Sequence, residues 1–374
     1  MNVIFTCGGT AGHINPAIAV ANILKERHPD CKILFIGAKG HMEEKLVPKA
    51  GYELKCLPGS GLSRSLSFTG LKKNVKAMKN VLSAVSQCKK FIREFGADVV
   101  VGTGGYASFP ALHAASKLKI PTIVHEANAV PGLTTKMAAK TATRVLVAFK
   151  ESAAYYRDPK KVEVVGMPVR KEFVLTERED ARKELGLDSR PLVVSAFGSL
   201  GARDMNYAMA DFMKMEMEAG MPFQHIHATG SFGWAWMPEH VKQKGVDPAQ
   251  CDGLDMREYI YNMPTVMAAA DVIISRAGAS TLNEIGASGT PCILIPSPNV
   301  TNDHQTKNAK VLAERGGAVL IPEGENMGQK LYDTVNELLS DHERRAKMSA
   351  ALRQMVVLDS AERICDMIEE LAEG

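Results

Sequence analysis

Twelve short runs of β-branched and other apolar residues, separated by segments of helical periodicity, limit what this chain can fold into. In the first half the runs are Val3–Thr6, Lys32–Ile36, Glu53–Leu57, Asp98–Val101, Thr122–Val124, Arg144–Val147 and Val162–Val165. In the second they are Leu192–Phe197, Gln224–Ala228, Asp271–Ser275, Cys292–Ile295 and Ala318–Ile321. Several are apolar at consecutive positions. A strand with one wet face alternates and a strand covered on both faces does not, so these runs predict parallel strands beneath helices. The intervening helical segments, about 10–25 residues each, suffice for the crossover a parallel pair needs. The expected class is α/β, with doubly wound parallel sheets.

At 374 residues the chain exceeds what one hydrophobic core serves, so two domains are expected. The break falls near Gly166–Arg190, where a strand leaves through Gly166 and Pro168 into the charged stretch TEREDARKELGLDSRP before a fresh strand at Leu192. The expected division is 1–165, 166–358 and a terminal helix over 359–374 that either domain could hold. Composition (45% hydrophobic, 23% charged) is that of a globular chain. No apolar run nears the roughly 18–20 residues of a spanning helix. The start, MNVIFTCGG, reads as a strand, with neither the basic region nor the long apolar core of a signal peptide. Neither a spanning nor a Sec-secreted protein is expected. The seven cysteines are odd in number and form no CxxC pair, as expected of buried, reduced thiols in a cytoplasmic protein.

The formal net charge of +3 conceals a polarity. Residues 1–165 carry 24 Lys and Arg against 11 Asp and Glu, and the remainder carries 21 against 31. The first half is expected to meet something anionic.

Three glycine clusters follow strands directly: Cys7–His13 (CGGTAGH), Gly102–Tyr106 (GTGGY) and Gly198–Ala202 (GSLGA). Glycine lets the backbone turn tightly and approach a ligand, and a following helix N-terminus offers N–H groups to an anion. None matches a P-loop, and the spacing G-x-G-x-x-G is absent, which disfavours a nucleoside-triphosphatase and a nicotinamide dehydrogenase. A fourth turn, Ser275–Glu284 (SRAGASTLNE), opens a helix with small polar residues. Its Glu284 could accept hydrogen bonds from vicinal hydroxyls, although taken alone the turn reads better as an ordinary helix start with an acid that suits the dipole. Titratable groups in turns are His13, His125, Glu126, Arg170, Asp303 and His304, with the amide of Gln305 beside them. The other seven histidines have no such context. With no D-x-D motif and no His/Cys cluster, no metal and no cofactor are expected. The stretch Leu71–Phe95 has an apolar stripe flanked by Lys72, Lys73, Lys76, Lys79, Lys89, Lys90 and Arg93. It reads as an amphipathic helix on the sheet, and with Leu66 and Phe68 it could touch anionic lipid. No basic motif is interleaved with aromatics, so nucleic acid is not an expected partner.

In order and spacing, GGTAGHINP, VGTGGYASFP, HEANAVPG, VGMPVR, FGSLGA, EYIYNM, SRAGASTLNEI and NDHQTKNA resemble glycosyltransferase family 28 of the GT-B superfamily over essentially the whole chain. The resemblance implies two Rossmann-like domains facing across a cleft. It implies inverting transfer of GlcNAc from UDP-GlcNAc to the muramyl 4-hydroxyl of undecaprenyl-pyrophosphoryl-MurNAc-pentapeptide (lipid I), giving lipid II. The implied setting is the cytoplasmic face of a bacterial plasma membrane, with the anionic membrane surface and other cell-wall synthesis proteins as partners. By motif, His13 would be the catalytic base, with Glu126 as second choice or as orienter of a neighbour. Thr10, Ala11, Gly12 and Asn128 would approach the GlcNAc moiety. Arg170 and Ser199 would contact the diphosphate, with Asn206 following that turn. Ile260 would hold uracil. Ala279, Ser280, Thr281, Leu282, Asn283 and Glu284 would wrap phosphate and ribose, and Gln305 would hold sugar hydroxyls. Gly104, Gly105 and Tyr106 would form, with the first glycine turn, the acceptor-pyrophosphate site. Ala11 stands where glycine is more usual, Ala127 and Leu200 replace glutamines and Met167 an asparagine. The last three changes remove amides that could bind donor. Rival readings are another UDP-GlcNAc enzyme of GT-B type, such as a non-hydrolysing 2-epimerase, or a non-catalytic membrane-recruiting subunit.

Overall fold

All strand pairs in this computed structural model, which describes residues 1–58 and 68–373, are parallel. For residues 68–79 and Thr301 it describes the backbone only. Among the described residues the strands form a seven-stranded and a six-stranded sheet. The first contains β1 (Asn2–Thr6), β2 (Lys32–Ala38), β3 (Glu53–Leu57), β4 (Val99–Gly102), β5 (Thr122–Glu126), β6 (Arg144–Val147) and β7 (Val162–Val164), in spatial order β3-β2-β1-β4-β5-β6-β7. The second contains β8 (Leu192–Ala196), β9 (Gln224–Ala228), β10 (Leu254–Arg257), β11 (Val272–Ser275), β12 (Cys292–Leu294) and β13 (Ala318–Leu320), in order β10-β9-β8-β11-β12-β13. Both are doubly wound, and the order reverses once in each: beside β1 and β4, and beside β8 and β11. Those reversals leave crevices at the carboxyl ends of the strands.

The chain divides into two compact units, 1–169 with 357–374, and 170–356. In the first, consecutive residues of β1 feed opposite layers. Val3 and Phe5 pack with the helix Ala11–Arg27, and Ile4 packs beneath the helices Phe68–Phe95 and Ser108–Lys117. Full burial on both faces is why the run is apolar without alternation. The terminal helix Ser360–Glu373 belongs to this unit. Ile364, Cys365 and Ile368 enter the same layer as Val3 and Phe5, and Arg27 and Arg144 pair with Asp366, Glu369 and Glu370.

β10 is a strand that the apolar-run reading misses. It is an edge strand, paired on one side only, and its sequence LDMR alternates, with Leu254 buried and Asp255 exposed. All seven cysteines are free thiols, but Cys56 and Cys251 are only partly buried, at sheet margins and not in the cores. In the second unit His225 and His227 are fully buried on β9. Ser195 Oγ lies 2.7 Å from His225 Nε2 and 2.7 Å from His227 Nδ1, and Glu216 lies 2.9 Å from His225 Nδ1. Burial pushes the Glu216 carboxyl up and the His227 imidazole down, so burial favours the neutral forms of these two groups.

Candidate functional site

Both reversal points carry the motifs singled out in the sequence. In the first unit the turn after β1 (Cys7–Thr10) and the turn after β4 (Thr103–Ala107) lie backbone against backbone. A Cβ on Gly105 would meet Gly8 O at 2.3 Å, and Gly105 has φ +88°, so only glycine serves there. Thr103 Oγ1 donates to His13 O at 2.6 Å, tying the second turn to the helix that the first one opens.

His13 lies in the first turn of that helix. Its Nδ1 is 3.0 Å from Gly8 O and 3.3 Å from Thr10 Oγ1. A carbonyl can only accept, so Nδ1 carries the proton of the neutral ring and Nε2 is its basic nitrogen. The ring edge bearing Nε2 faces Gly104, where a Cβ would come within 3.0 Å of it. The glycine turns therefore bring a histidine of defined tautomer against Gly104–Tyr106.

Glu126, at the end of β5, is buried and fully engaged as an acceptor. Oε1 accepts from Asn128 N and Asn128 Nδ2, each at 3.0 Å, and Oε2 accepts from Gly132 N at 3.0 Å. This carboxylate shapes the loop bearing Asn128, which fits the orienting alternative. His125, beneath it, is held by Gly166 O at 2.8 Å, and burial lowers its pKa. The sequence reading missed Glu43, a fully buried carboxylate whose oxygens accept from Gly9 N at 3.0 Å and Ala38 N at 2.8 Å. Nothing in one sequence separates it from its surface neighbour Glu44, because both open the same short helix, Glu43–Lys49.

In the second unit the turn after β8 exposes Ser199 and Leu200. Asn206, on the helix Arg203–Glu218, is buried. It donates through Nδ2 to Thr229 O at 2.8 Å, so it ties the loop after β9 to the turn after β8. After β11, Ala277 and Gly278 lead into the helix Ala279–Ser288. Gly278 is its N-cap, no side chain caps it and its first turn holds no acid. The uncapped N–H groups at Ala279–Thr281 and the helix dipole suit a phosphate. Leu282 and Asn283 are buried on the inner side, and Asn283 Nδ2 donates to Ala279 O at 2.9 Å. Glu284, one turn in, is half-buried. Burial raises its carboxyl to about 7, while the Arg170 guanidinium pulls the other way. Arg170 itself lies over the Phe173 ring at 5.0 Å. Gln305 Oε1 accepts from Ala277 N at 3.2 Å and Ser297 N at 2.9 Å, joining the ends of β11 and β12. It follows two residues in left-handed backbone, Asn302 (φ 59°) and Asp303 (φ 51°), a costly conformation for non-glycine residues. Ile260, after β10, is buried.

Of the family departures, Ala127 and Met167 are buried and Leu200 is exposed, so no amide side chain stands at any of the three. Among the described residues no group of three or more His, Cys, Asp or Glu side chains is placed to hold a metal ion. None of their helices is long and apolar enough to cross a membrane. The Leu66 and Lys72–Lys79 part of the basic surface, with the side chain of Phe68, lies outside the described residues. Lys89, Lys90 and Arg93 lie within them.

Residues 3–147 match the glycosyltransferase family 28 N-terminal domain and residues 192–364 the family's C-terminal domain. The chain belongs to glycosyltransferase family 28. A relative from Acetivibrio thermocellus, a UDP-N-acetylglucosamine--N-acetylmuramyl-(pentapeptide) pyrophosphoryl-undecaprenol N-acetylglucosamine transferase, is 39% identical over 99% of this chain and 98% of its own. A relative of the same name from Thermoanaerobacter sp. is 40% identical over 99% and 100%. The crystal structure of Acinetobacter baumannii MurG superposes with a TM-score of 0.76 at 25% identity, covering 99% of both chains. A UDP-GlcNAc 2-epimerase from Neisseria meningitidis bound to UDP-GlcNAc shares the fold at 12% identity, TM-score 0.66. The fold is thus that of the family: two Rossmann-like parallel-sheet domains of GT-B type.

Proposed function

We infer that this enzyme is an inverting glycosyltransferase that moves GlcNAc from UDP-GlcNAc to the MurNAc 4-hydroxyl of undecaprenyl-pyrophosphoryl-MurNAc-pentapeptide. The β-1,4 linkage of the lipid-linked disaccharide results. Full-length identity of 39–40% to transferases of that name carries the reading, and the motifs at both sheet reversals agree with it.

The chemistry needs a base for the acceptor hydroxyl and a means of stabilising the departing diphosphate. His13 takes the hydroxyl proton at Nε2 while Nδ1–H remains on Gly8 O. Glu126 holds Asn128 toward the sugar, beside Thr10, Ala11 and Gly12. The acceptor pyrophosphate rests on the Gly104–Tyr106 turn. In the second unit the N–H groups of Ala279–Thr281, Ser199 and the Arg170 guanidinium neutralise the diphosphate as the glycosidic bond breaks. Glu284 accepts from the ribose hydroxyls, Gln305 holds sugar hydroxyls, and the backbone of Ile260 receives uracil. Asn206 supports the Ser199 turn from behind.

The enzyme works on the cytoplasmic face of the plasma membrane as a peripheral protein, and its partner surface there is anionic lipid. What supports this is a small apolar cavity of about 210 Å³ lined by Leu82, Tyr106, Phe109, Leu133 and Met137, adjoining the proposed pyrophosphate turn. Leu82 (66% exposed) and Leu133 (53%) flank it, and Lys89, Lys90 and Arg93 follow on the same helix.

The deciding assay is transfer of radiolabel from UDP-GlcNAc to a lipid I analogue. Label in the lipid phase, with UDP release that depends on the acceptor, is the expected result. UDP-GlcNAc consumption without the acceptor, or appearance of the 2-epimer, would instead favour the epimerase reading that the shared fold allows. Sedimentation with anionic but not neutral vesicles tests the membrane surface, and equal recovery with both would remove it.

A further inference from the structure

Glu43 is an unusual group to find behind a glycine turn. It is 0% exposed, and among the described residues its oxygens are met by backbone amides and by no lysine, arginine or histidine. Space is reserved for it. A Cβ on Gly8 would stand 2.7 Å from Glu43 Oε1, and one on Gly37 would stand 2.6 Å from Glu43 Cγ. A buried carboxylate is costly to keep, and two short N–H bonds are the compensation on view.

What those bonds do follows from peptide geometry. Gly9 N–H and Gly8 C=O belong to one trans peptide unit, so they point in opposite directions. The N–H end is bound to Glu43 Oε2 at 3.0 Å, and the C=O end lies 3.0 Å from His13 Nδ1. The three groups form a line: carboxylate, peptide, imidazole. A carboxylate accepting the N–H polarises the peptide and makes its carbonyl a stronger acceptor. It also fixes the plane of a glycine–glycine link that would otherwise rotate freely, Gly9 having φ +86°.

We propose that Glu43 is a positioning residue for the transfer reaction. It acts through the Gly8–Gly9 peptide to hold His13 in the Nδ1-protonated tautomer and to raise the basicity of Nε2. The inference rests on His13 being the base. Other titratable or polar groups packed around this line are Cys7, whose buried thiol is pushed up partly by Glu43, His125, which senses His13, and the hydroxyls of Thr10 and Thr103. None of them bonds to the Gly8–Gly9 peptide as Glu43 does.

The test is Glu43→Gln, which keeps shape and removes charge. Its amide nitrogen must face one of the two N–H donors, so the peptide loses its anchor or its polarisation. Selective ¹⁵N-histidine NMR reads tautomer and titration of His13 directly, with His13→Asn assigning the signal. In the unaltered enzyme the Nδ1-protonated tautomer should dominate and the Gly9 amide shift should follow the His13 titration. In Glu43→Gln the tautomer preference should be lost and the midpoint should move to lower pH, since a nearby negative charge has gone. kcat should fall about 10–100-fold, the range for removing an outer partner of a working histidine, with the KM for UDP-GlcNAc within about twofold. An unchanged tautomer and midpoint in Glu43→Gln would overturn the proposal. A changed tautomer with undiminished kcat would leave Glu43 setting the tautomer of His13, but would overturn His13 as base and with it the role of Glu43 in transfer. Should the variant not fold, the native chain decides: a Gly9 amide indifferent to His13 titration refutes the coupling.

Discussion

The raised carboxyl of Glu284 makes donor binding depend on pH in a calculable way. Burial lifts it from 4.5 to about 7, against the pull of Arg170. Ribose hydroxyls donate, so they bind the carboxylate more strongly than the neutral acid. The ionised fraction is about ten-elevenths at pH 8 and about one-eleventh at pH 6, so UDP-GlcNAc affinity should fall about fivefold to tenfold between them. UDP-GlcNAc is the ligand to use, because its diphosphate has no group titrating in this range, whereas a terminal phosphate ionises near pH 6. Calorimetry at pH 6, 7 and 8 measures the slope. Glu284→Gln should abolish it and bind about tenfold more weakly than the native enzyme at pH 8, the worth of one charge-assisted bond. Stability carries the opposite dependence. The folded chain binds this proton more tightly than the unfolded one, so the stabilisation is complete below about pH 4.5 and is lost as pH rises through about 7. Over that window native stability should drop ~3 kcal/mol relative to Glu284→Gln, the equivalent of about 2.5 pH units. A donor affinity flat from pH 6 to 8, or an equal slope in Glu284→Gln, would refute the ribose role. Equal stability profiles would refute the burial argument.

Three further outcomes are expected. His13→Ala should lower kcat by about 10²–10⁴ while UDP-GlcNAc binding measured by calorimetry changes by no more than about twofold, since the groups proposed for uracil, ribose and diphosphate lie in the other unit. Gly105→Ala forces a Cβ to 2.3 Å from Gly8 O at φ +88°, so urea unfolding should show a loss of about 2–4 kcal/mol or displaced turns with weakened acceptor KM. Ile368→Ala removes a fully buried side chain of the terminal helix and should cost about 2–5 kcal/mol in the same unfolding assay.

What the sequence discloses and what it hides follow from the range of the interactions involved. The runs at Val3–Thr6 and Leu192–Phe197 are legible because strands covered on both faces need apolar residues at successive positions. β10 is illegible by the same rule because its four residues, LDMR, alternate and include two charges, whereas the edge strands β7 and β13 keep β-branched residues. The four turns are legible because tight βα turns need glycine or small residues locally, and the parallel order then places them pairwise at β1/β4 and β8/β11. Glu43 and the chain Glu216–His225–Ser195–His227 are not legible, since burial of a polar side chain depends on partners 34 residues away for Gly9 and Glu43 and 30 for Ser195 and His225. Periodicity carries no trace of such pairings.

The charge polarity illustrates how folding reworks a sequence property. Read linearly, the first 165 residues are strongly basic. The structure returns residues 357–374, with one Arg against six Asp and Glu, to that unit. Their acids pair with Arg27, His28 and Arg144 in the layer of the helix Ala11–Arg27. The basic helix Phe68–Phe95 packs in the opposite layer, over Ile4, Val100 and Val124. The acids of the terminal helix are paired on one face, while Lys89, Lys90 and Arg93 lie on the helix of the other, the face that also bears exposed Leu82 and Leu133. A linear excess of cations would attract anions in every orientation. A one-faced excess orients the unit, and attraction to an anionic surface would bring the Gly104–Tyr106 turn toward it. Reversing charge at Lys89 and Lys90 should weaken vesicle binding in low salt, whereas reversing Arg27 should destabilise the terminal helix and leave vesicle binding intact.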